Sequence, residues 1–233
     1  MTMEREAKRT GGEMNALKRV LAVAGDFYHD DAVIRRALEK ALAPFAEAGR
    51  LELAFAEREQ LIGLLDGRPD LVVLFAENRT DPQGDESRVW MTEDMADKIV
   101  RYVRGGGAWL AWHSGLASYP ENGAYVGMLK GRFLYHPPEH AAVTYTPEAG
   151  TDLGELGGPF RLKDEHYFVD CREPDTTVFL RSRSAAGESA AGWFHPFGEG
   201  RVACLAPAHL EEGLLDPDFM AVMRRVVAWC LQI

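Results

Sequence analysis

The sequence predicts an α/β fold: a doubly wound, mostly parallel sheet, with a β-rich elaboration in the second half. Three observations carry this expectation. Before residue 113, short apolar runs alternate with segments of helical period, the signature of a parallel sheet with crossover helices. One run, Leu71–Phe75 (LVVLF), is apolar throughout, as a strand covered on both faces must be. After residue 140, short strands joined by polar loops replace that alternation.

Lys18–Ala24 (KRVLAVA) reads as the first buried strand, followed by the loop Gly25-Asp26-Phe27-Tyr28-His29. Asp30 or Asp31 can cap a helix whose apolar face is Val33, Ala37, Leu38, Ala41, Leu42 and Phe45. Pro44 is expected to bend or end that helix, and Gly49 marks the exit. Residues 51–55 alternate as a second strand, and Leu71–Phe75 is the third. Thr92 is a plausible N-cap, with Glu93 and Asp94 in the first turn and Met95, Ile99, Tyr102 and Val103 at helical spacing. Gly105-Gly106-Gly107 closes that helix and leads into Ala108–Trp112, a fourth buried strand.

In the second half, residues 141–145, 165–170, 177–181 and 190–195 are predicted strands. Gly198-Glu199-Gly200 turns into a further apolar strand over 201–206. Asp216 and Pro217 open a closing helix with Phe219, Val222, Met223, Val226, Trp229 and Cys230 on its apolar face. No repeat or linker divides the chain, so one domain over 16–233 is expected, behind a disordered extension over 1–15. Met14 could serve as an alternative start.

The chain has 233 residues and a net charge of −10, which argues against general nucleic-acid binding. Its 46% hydrophobic and 27% charged residues are ordinary globular values. No apolar run approaches the roughly 18 residues needed to span a bilayer, and residues 1–13 lack the apolar stretch of a signal peptide. Three widely spaced cysteines, Cys171, Cys204 and Cys230, form neither a disulfide framework nor a CxxC site, so a reducing cytoplasm is the expected location.

The clearest chemical feature is Ala111-Trp112-His113-Ser114-Gly115, where a buried strand runs into a turn with small residues beyond one polar side chain. Such a sharp turn lifts its central side chain, here His113, above the sheet edge. Ser114 stands one place off, so the hydrolase pattern G-x-S-x-G is not met. An ordinary strand end with a capping histidine is an equal reading of the pattern. A second feature is Ala206-Pro207-Ala208-His209-Leu210-Glu211, after the last predicted strand. His29, His113 and His209 thus each follow a predicted parallel strand, where open α/β sheets bind ligands. A third is Lys163-Asp164-Glu165-His166-Tyr167-Phe168. Strand alternation would put Glu165 and Tyr167 on one face and Asp164 and His166 on the other, with Glu165 an acid/base or sugar-hydroxyl acceptor. His136 and His140 lie in a proline-containing loop that could form a pocket wall.

Taken in order, these pieces resemble the ThuA-like, or trehalose-utilisation, family. The matching segments are the loop 25–29, GGGAWLAWHSG at 105–115, GRFLYHP at 131–137, KDEHY at 163–167, Trp193, GEGRVACLAPAH at 198–209 and the closing helix to Trp229. The resemblance covers nearly the whole chain. It implies a flavodoxin-like, class I glutamine amidotransferase-like fold and a role in catabolism of trehalose or related disaccharides and keto-sugars. In amidotransferases the elbow residue is a cysteine nucleophile, and a His-x-Glu follows the last strand. Here the elbow holds His113, while His209-Leu210-Glu211 resembles the His-x-Glu. Without a thiolate, thioester chemistry lacks its nucleophile, and glutaminase activity is not expected. Pro207-Ala208 departs from the family, where a glycine often precedes the histidine.

The expected site has His113, Glu165 and His209 as catalytic groups. His29, Trp112, Ser114, His136, Asp164 and Tyr167 are the expected substrate contacts. His29, His113 and His209 could hold a divalent metal such as zinc. The expected partner is a small-molecule sugar, with neither nucleic acid nor membrane, and a homo-oligomer is admitted. The alternative is a non-catalytic sugar-binding or regulatory protein in which Trp112, Tyr167 and Trp193 supply stacking surfaces. Recruitment of Cys204 for amidotransferase chemistry is disfavoured, because a thiol inside an apolar strand is inert.

Overall fold

The structure is a computed structural model that describes residues 16–233. The N-terminal extension and the alternative start at Met14 lie outside the described residues.

Apolar strands that cannot leave backbone groups unpaired assemble into one nine-stranded sheet. Its parallel part comprises β1 (Lys18–Ala24), β2 (Leu51–Ala56), β3 (Leu71–Phe75), β4 (Ala108–Trp112) and β11 (Gly200–Leu205). Their spatial order, β2-β1-β3-β4-β11, is the flavodoxin-like arrangement. The sheet continues antiparallel through β10 (Gly187–Phe197), β9 (Thr177–Ser184), β6 (Ala141–Pro147) and β7 (Phe160–Asp164). A separate ribbon pairs β5 (Gly131–Tyr135) with β8 (Phe168–Cys171). The β-rich half is therefore mainly an extension of the same sheet.

Helices α1 (Asp31–Glu47) and α6 (Pro217–Leu231) pack together, and α6 covers β4. On the chain's other crossovers, α3 (Glu93–Arg104) packs with α2 (Arg58–Leu64) and α4 (Ala124–Leu129). Asp30 caps α1 by accepting from the Ala32 N–H, Thr92 caps α3 through Met95, and Asp216 caps α6 with Pro217 in its first turn. A short helix, α5 (Glu211–Leu214), follows β11.

Several expectations need correction. Helix α1 runs through Pro44 and ends three residues later, because a proline in the last turn removes one hydrogen bond without cutting off many that follow. Residues 165–170 are not one strand: β7 ends at Asp164 and β8 begins at Phe168, leaving Glu165, His166 and Tyr167 as a junction. The stretch 133–140, expected as a rigid loop around His136 and His140, begins as strand: residues up to Tyr135 pair in β5. After β4 the chain makes a single 3-10 turn, His113–Leu116, rather than entering an α-helix.

Candidate functional site

Strand order reverses between β1 and β3, and a crevice opens there beyond the carboxyl ends of the parallel strands. It holds a cavity of about 370 Å³ lined by His29, Glu77, Ser114, Glu165, Tyr167 and His209, among others.

The His113 backbone has φ +48°, an uncommon value for a side-chain-bearing residue. The turn is tight because a Cβ on Gly115 would lie 2.2 Å from the Leu74 carbonyl oxygen. The imidazole is fully buried. Its Nδ1 lies 2.7 Å from the Ala206 carbonyl, which only accepts, so Nδ1 carries the proton and Nε2 keeps its lone pair. Nε2 has no hydrogen-bond partner among the described residues and faces Glu165 Oε2 at 3.6 Å. Burial pushes the pKa down to about 4, outweighing the nearby carboxylate. His113 is therefore a neutral ring stacked on Tyr167, with centroids 4.2 Å apart.

The loop after β1 turns through Gly25, where φ is +93° and a Cβ would strike Asp31. It delivers Asp26 and His29 together. His29 Nδ1 lies 2.6 Å from Asp26 Oδ1 and donates to it, which leaves Nε2 as an acceptor. Burial alone would raise the Asp26 pKa, but the hydrogen bonds from His29 and from the Glu77 N–H lower it to about 2. His209 Nδ1 is 2.9 Å from His29 Nε2 and 3.3 Å from Glu165 Oε2, so it donates between two acceptors. Burial opposes a charge on His209, yet Glu165, Asp164 and Asp26 pull its pKa upward. Burial likewise works against an ionised Glu165, but His209, whose Nδ1–H points at it, holds its carboxyl below the usual range.

Two acceptors thus share the Nδ1 proton of His209, His29 Nε2 and Glu165 Oε2, and the bare Nε2 of His113 faces the same Glu165 oxygen. The ligand atoms of His29, His113, Glu165 and His209 all lie within 4.8 Å of one another. Two ligand atoms of a tetrahedral ion, with bonds of about 2.1 Å, stand about 3.4 Å apart. The widest pair therefore has to close by up to about 1.4 Å, a side-chain adjustment rather than a backbone one. Two Nδ1–H groups are already anchored, on a carbonyl and a carboxylate, as metal-binding imidazoles require. The unpartnered, neutral Nε2 of His113 is the strongest sign that these residues fit a cation.

Of the expected substrate contacts, His29, Ser114, His136 and Tyr167 line the cavity. His136 Nε2 and His140 Nε2 lie 3.8 and 3.7 Å from Glu165 Oε1. Two expectations are overturned. Trp112 is buried, donates from Nε1 to the Pro207 carbonyl at 2.6 Å and packs on Phe75, so it fixes the His209 loop rather than touching a ligand. Asp164 is also buried, with its oxygens taken by the N–H groups of His209 and Glu165 and by the Tyr145 hydroxyl. Burial raises its pKa to about 6. It positions the site from behind. Trp193, likewise buried, donates to the Leu129 carbonyl and offers no stacking surface.

Sequence reasoning passed over Asp26 and Glu77. Glu77 stands two residues past the end of β3, and the same rule that singles out residues after a parallel strand would have found it.

The ThuA family model, described as trehalose utilisation, matches residues 19–230. No match was found among curated proteins. Among solved structures, a ThuA-like protein from Parabacteroides merdae is similar with TM-score 0.69 and 13% identity, covering 92% of this chain and 90% of that one. A ThuA-like protein from Bacteroides uniformis gives 0.66 and 13%, covering 97% and 95%. A cytoplasmic protein from Salmonella typhimurium LT2 gives 0.62 and 11%, covering 91% and 99%. At these identities the structural likeness speaks for the fold, while the match over 19–230 speaks for descent: the chain belongs to the ThuA, or trehalose-utilisation, family.

Proposed function

We propose that this protein is an enzyme of carbohydrate utilisation that acts on a sugar or oxidised sugar. In this reading His29, His113, His209 and Glu165 hold a divalent ion such as zinc. The observation that carries it is the convergence of those four ligand atoms within 4.8 Å at the edge of a cavity of about 370 Å³. Three imidazoles with one carboxylate suit zinc or a similar borderline ion. When bound, such an ion polarises a carbonyl or hydroxyl oxygen as a Lewis acid.

The chain's own residues would do the rest. Asp26 and the Ala206 carbonyl fix two imidazoles in the ligand tautomer. His136, which lines the cavity 3.8 Å from Glu165 Oε1, would exchange protons with a substrate hydroxyl, and His140 stands 3.7 Å from the same oxygen. Tyr167 and Phe133, with centroids 4.3 Å apart, wall the cavity against water. Thioester chemistry has no nucleophile here: Cys204 is buried in β11, and burial pushes its thiol pKa well up. The cytoplasm is the proposed location, in keeping with the cytoplasmic neighbour. No helix among the described residues is long and apolar enough to cross a membrane.

Elemental analysis of protein purified without an affinity metal tests the reading. It is combined with a thermal-shift screen of disaccharides and their keto derivatives. The expected result is about one transition-metal ion per chain, lost in both His113→Ala and His209→Ala while the fold persists. Protein that neither carries nor takes up such an ion would overturn it.

A further inference from the structure

Glu77 donates its backbone N–H to Asp26 at 3.0 Å, but the reading above gives its carboxylate no role. It is 3% exposed yet lines the cavity. One of its carboxylate oxygens is fully engaged: Oε2 accepts from Arg79 Nε at 2.9 Å and from the Ser118 hydroxyl at 2.8 Å. These two bonds fix the plane of the carboxylate. The other oxygen, Oε1, is buried and has no hydrogen-bond partner among the described residues. The Ser114 hydroxyl, on the same cavity and 1% exposed, is likewise unpartnered.

A buried polar atom without a partner is rare, because it forfeits its water without recompense. Here two of them belong to residues that line one cavity, together with His29, Glu165 and His209. An ionised carboxylate oxygen only accepts, so what completes Glu77 has to donate a hydrogen. We infer that Glu77, with Ser114, is a hydroxyl-reading subsite, and that the cavity takes a neutral polyhydroxylated ligand rather than a phosphorylated or carboxylated one. A ligand hydroxyl donating to Oε1 forms a charge-assisted bond, and the same hydroxyl or its neighbour can pair with Ser114. A ligand anion placed there would face a fixed negative charge whose one cationic neighbour, Arg79, is already committed to the other oxygen.

The inference rests on the reading of the crevice as a sugar site, and one experiment separates the two. Metal-analysed protein is titrated calorimetrically with glucose and trehalose, with the single deoxy derivatives of each, and with glucose 6-phosphate and trehalose 6-phosphate. The expected result is that a parent sugar binds and that removing one particular hydroxyl weakens it by about 100-fold or more, because the loss strands a buried acceptor. The phosphorylated sugar binds far more weakly than its parent. Glu77→Gln, of equal size, weakens the parent at least tenfold and flattens the deoxy series at unchanged metal content. A phosphosugar that binds as well as its parent, or a Glu77→Gln protein with unaltered affinity, overturns the hydroxyl-reading role and leaves the sugar site standing. Failure of every neutral sugar to bind overturns both. If Glu77→Gln does not fold, the deoxy series on the wild-type protein decides, and a flat series sinks the inference.

Discussion

At the scale of single residues, His113 and His209 sit about one ring apart yet respond to pH in opposite senses. Their ring centroids are 5.5 Å apart. Burial holds His113 near pKa 4, below its unfolded value of about 6.5. The unfolded chain therefore binds more protons in that window, and His113 withdraws stability as pH falls from about 6.5 to 4. His209 has a raised pKa, so its contribution is present below about 6.5 and lost as pH rises through the folded value. In chelator-treated protein, urea unfolding at pH 7 and pH 4.5 should show His113→Gln losing about 2 kcal/mol less stability on acidification than wild type. Parallel losses would show that His113 already carries a proton in the folded state. His29, His113 and His209 were legible in the sequence because each follows a parallel strand within a few residues. Asp26 and Glu77 follow the same rule but were not singled out, since nothing local shows that an acid will be buried.

At the scale of elements, the elbow after β4 depends on Gly115. A Cβ there would meet the Leu74 carbonyl at 2.2 Å, and backbone at the end of β3 cannot step aside as a side chain could. Gly115→Ala should cost about 1–3 kcal/mol of stability as an overpacking defect. It should also lower metal occupancy, because His113 shifts with the turn. Gly127→Ala in α4 is the control: its Cβ meets nothing within 4 Å, so it should leave occupancy intact and stabilise slightly. Equal occupancy in both variants would mean that the elbow does not set the ligand geometry. The parallel elements were legible because apolar period and capping residues agree in them, as in α3 with Thr92 and its acidic first turn. The junction 165–167 was not. Its residues alternate in chemistry like a strand, but Asp164 turns inward to bind His209 N–H and Tyr145, and the ladder stops there. Strand β5 was hidden by the prolines that follow it, and β7 by the glycine-rich stretch before it.

At the scale of the whole molecule, strand order in the antiparallel half was beyond the sequence, because it is set by pairings between distant segments. That order matters for the site. Strand β7 is the last in the sheet, four places from β11, yet its end returns to the crevice where Asp164 receives the His209 N–H at 2.7 Å. A large twisted sheet curls in this way. Three of the four candidate ligands come from the ends of β1, β4 and β11, and the fourth, Glu165, from just beyond that far edge. An ion held by all four would tie the edge of the curled sheet back to its parallel half. Binding only to the folded chain, it would stabilise by mass action, about 2.7 kcal/mol at a free concentration 100 times its Kd. For a chain of this size that corresponds to a Tm roughly 5–10 °C higher than in the chelated protein. Scanning calorimetry with added zinc and then with excess chelator should show that difference in wild type and a much smaller one in Glu165→Gln, which retains the three histidines but loses the tether to the far edge. A Tm that ignores both zinc and chelator would remove the ion from the account of this fold. A shift of equal size in Glu165→Gln would confine the ion to the histidines of the parallel half.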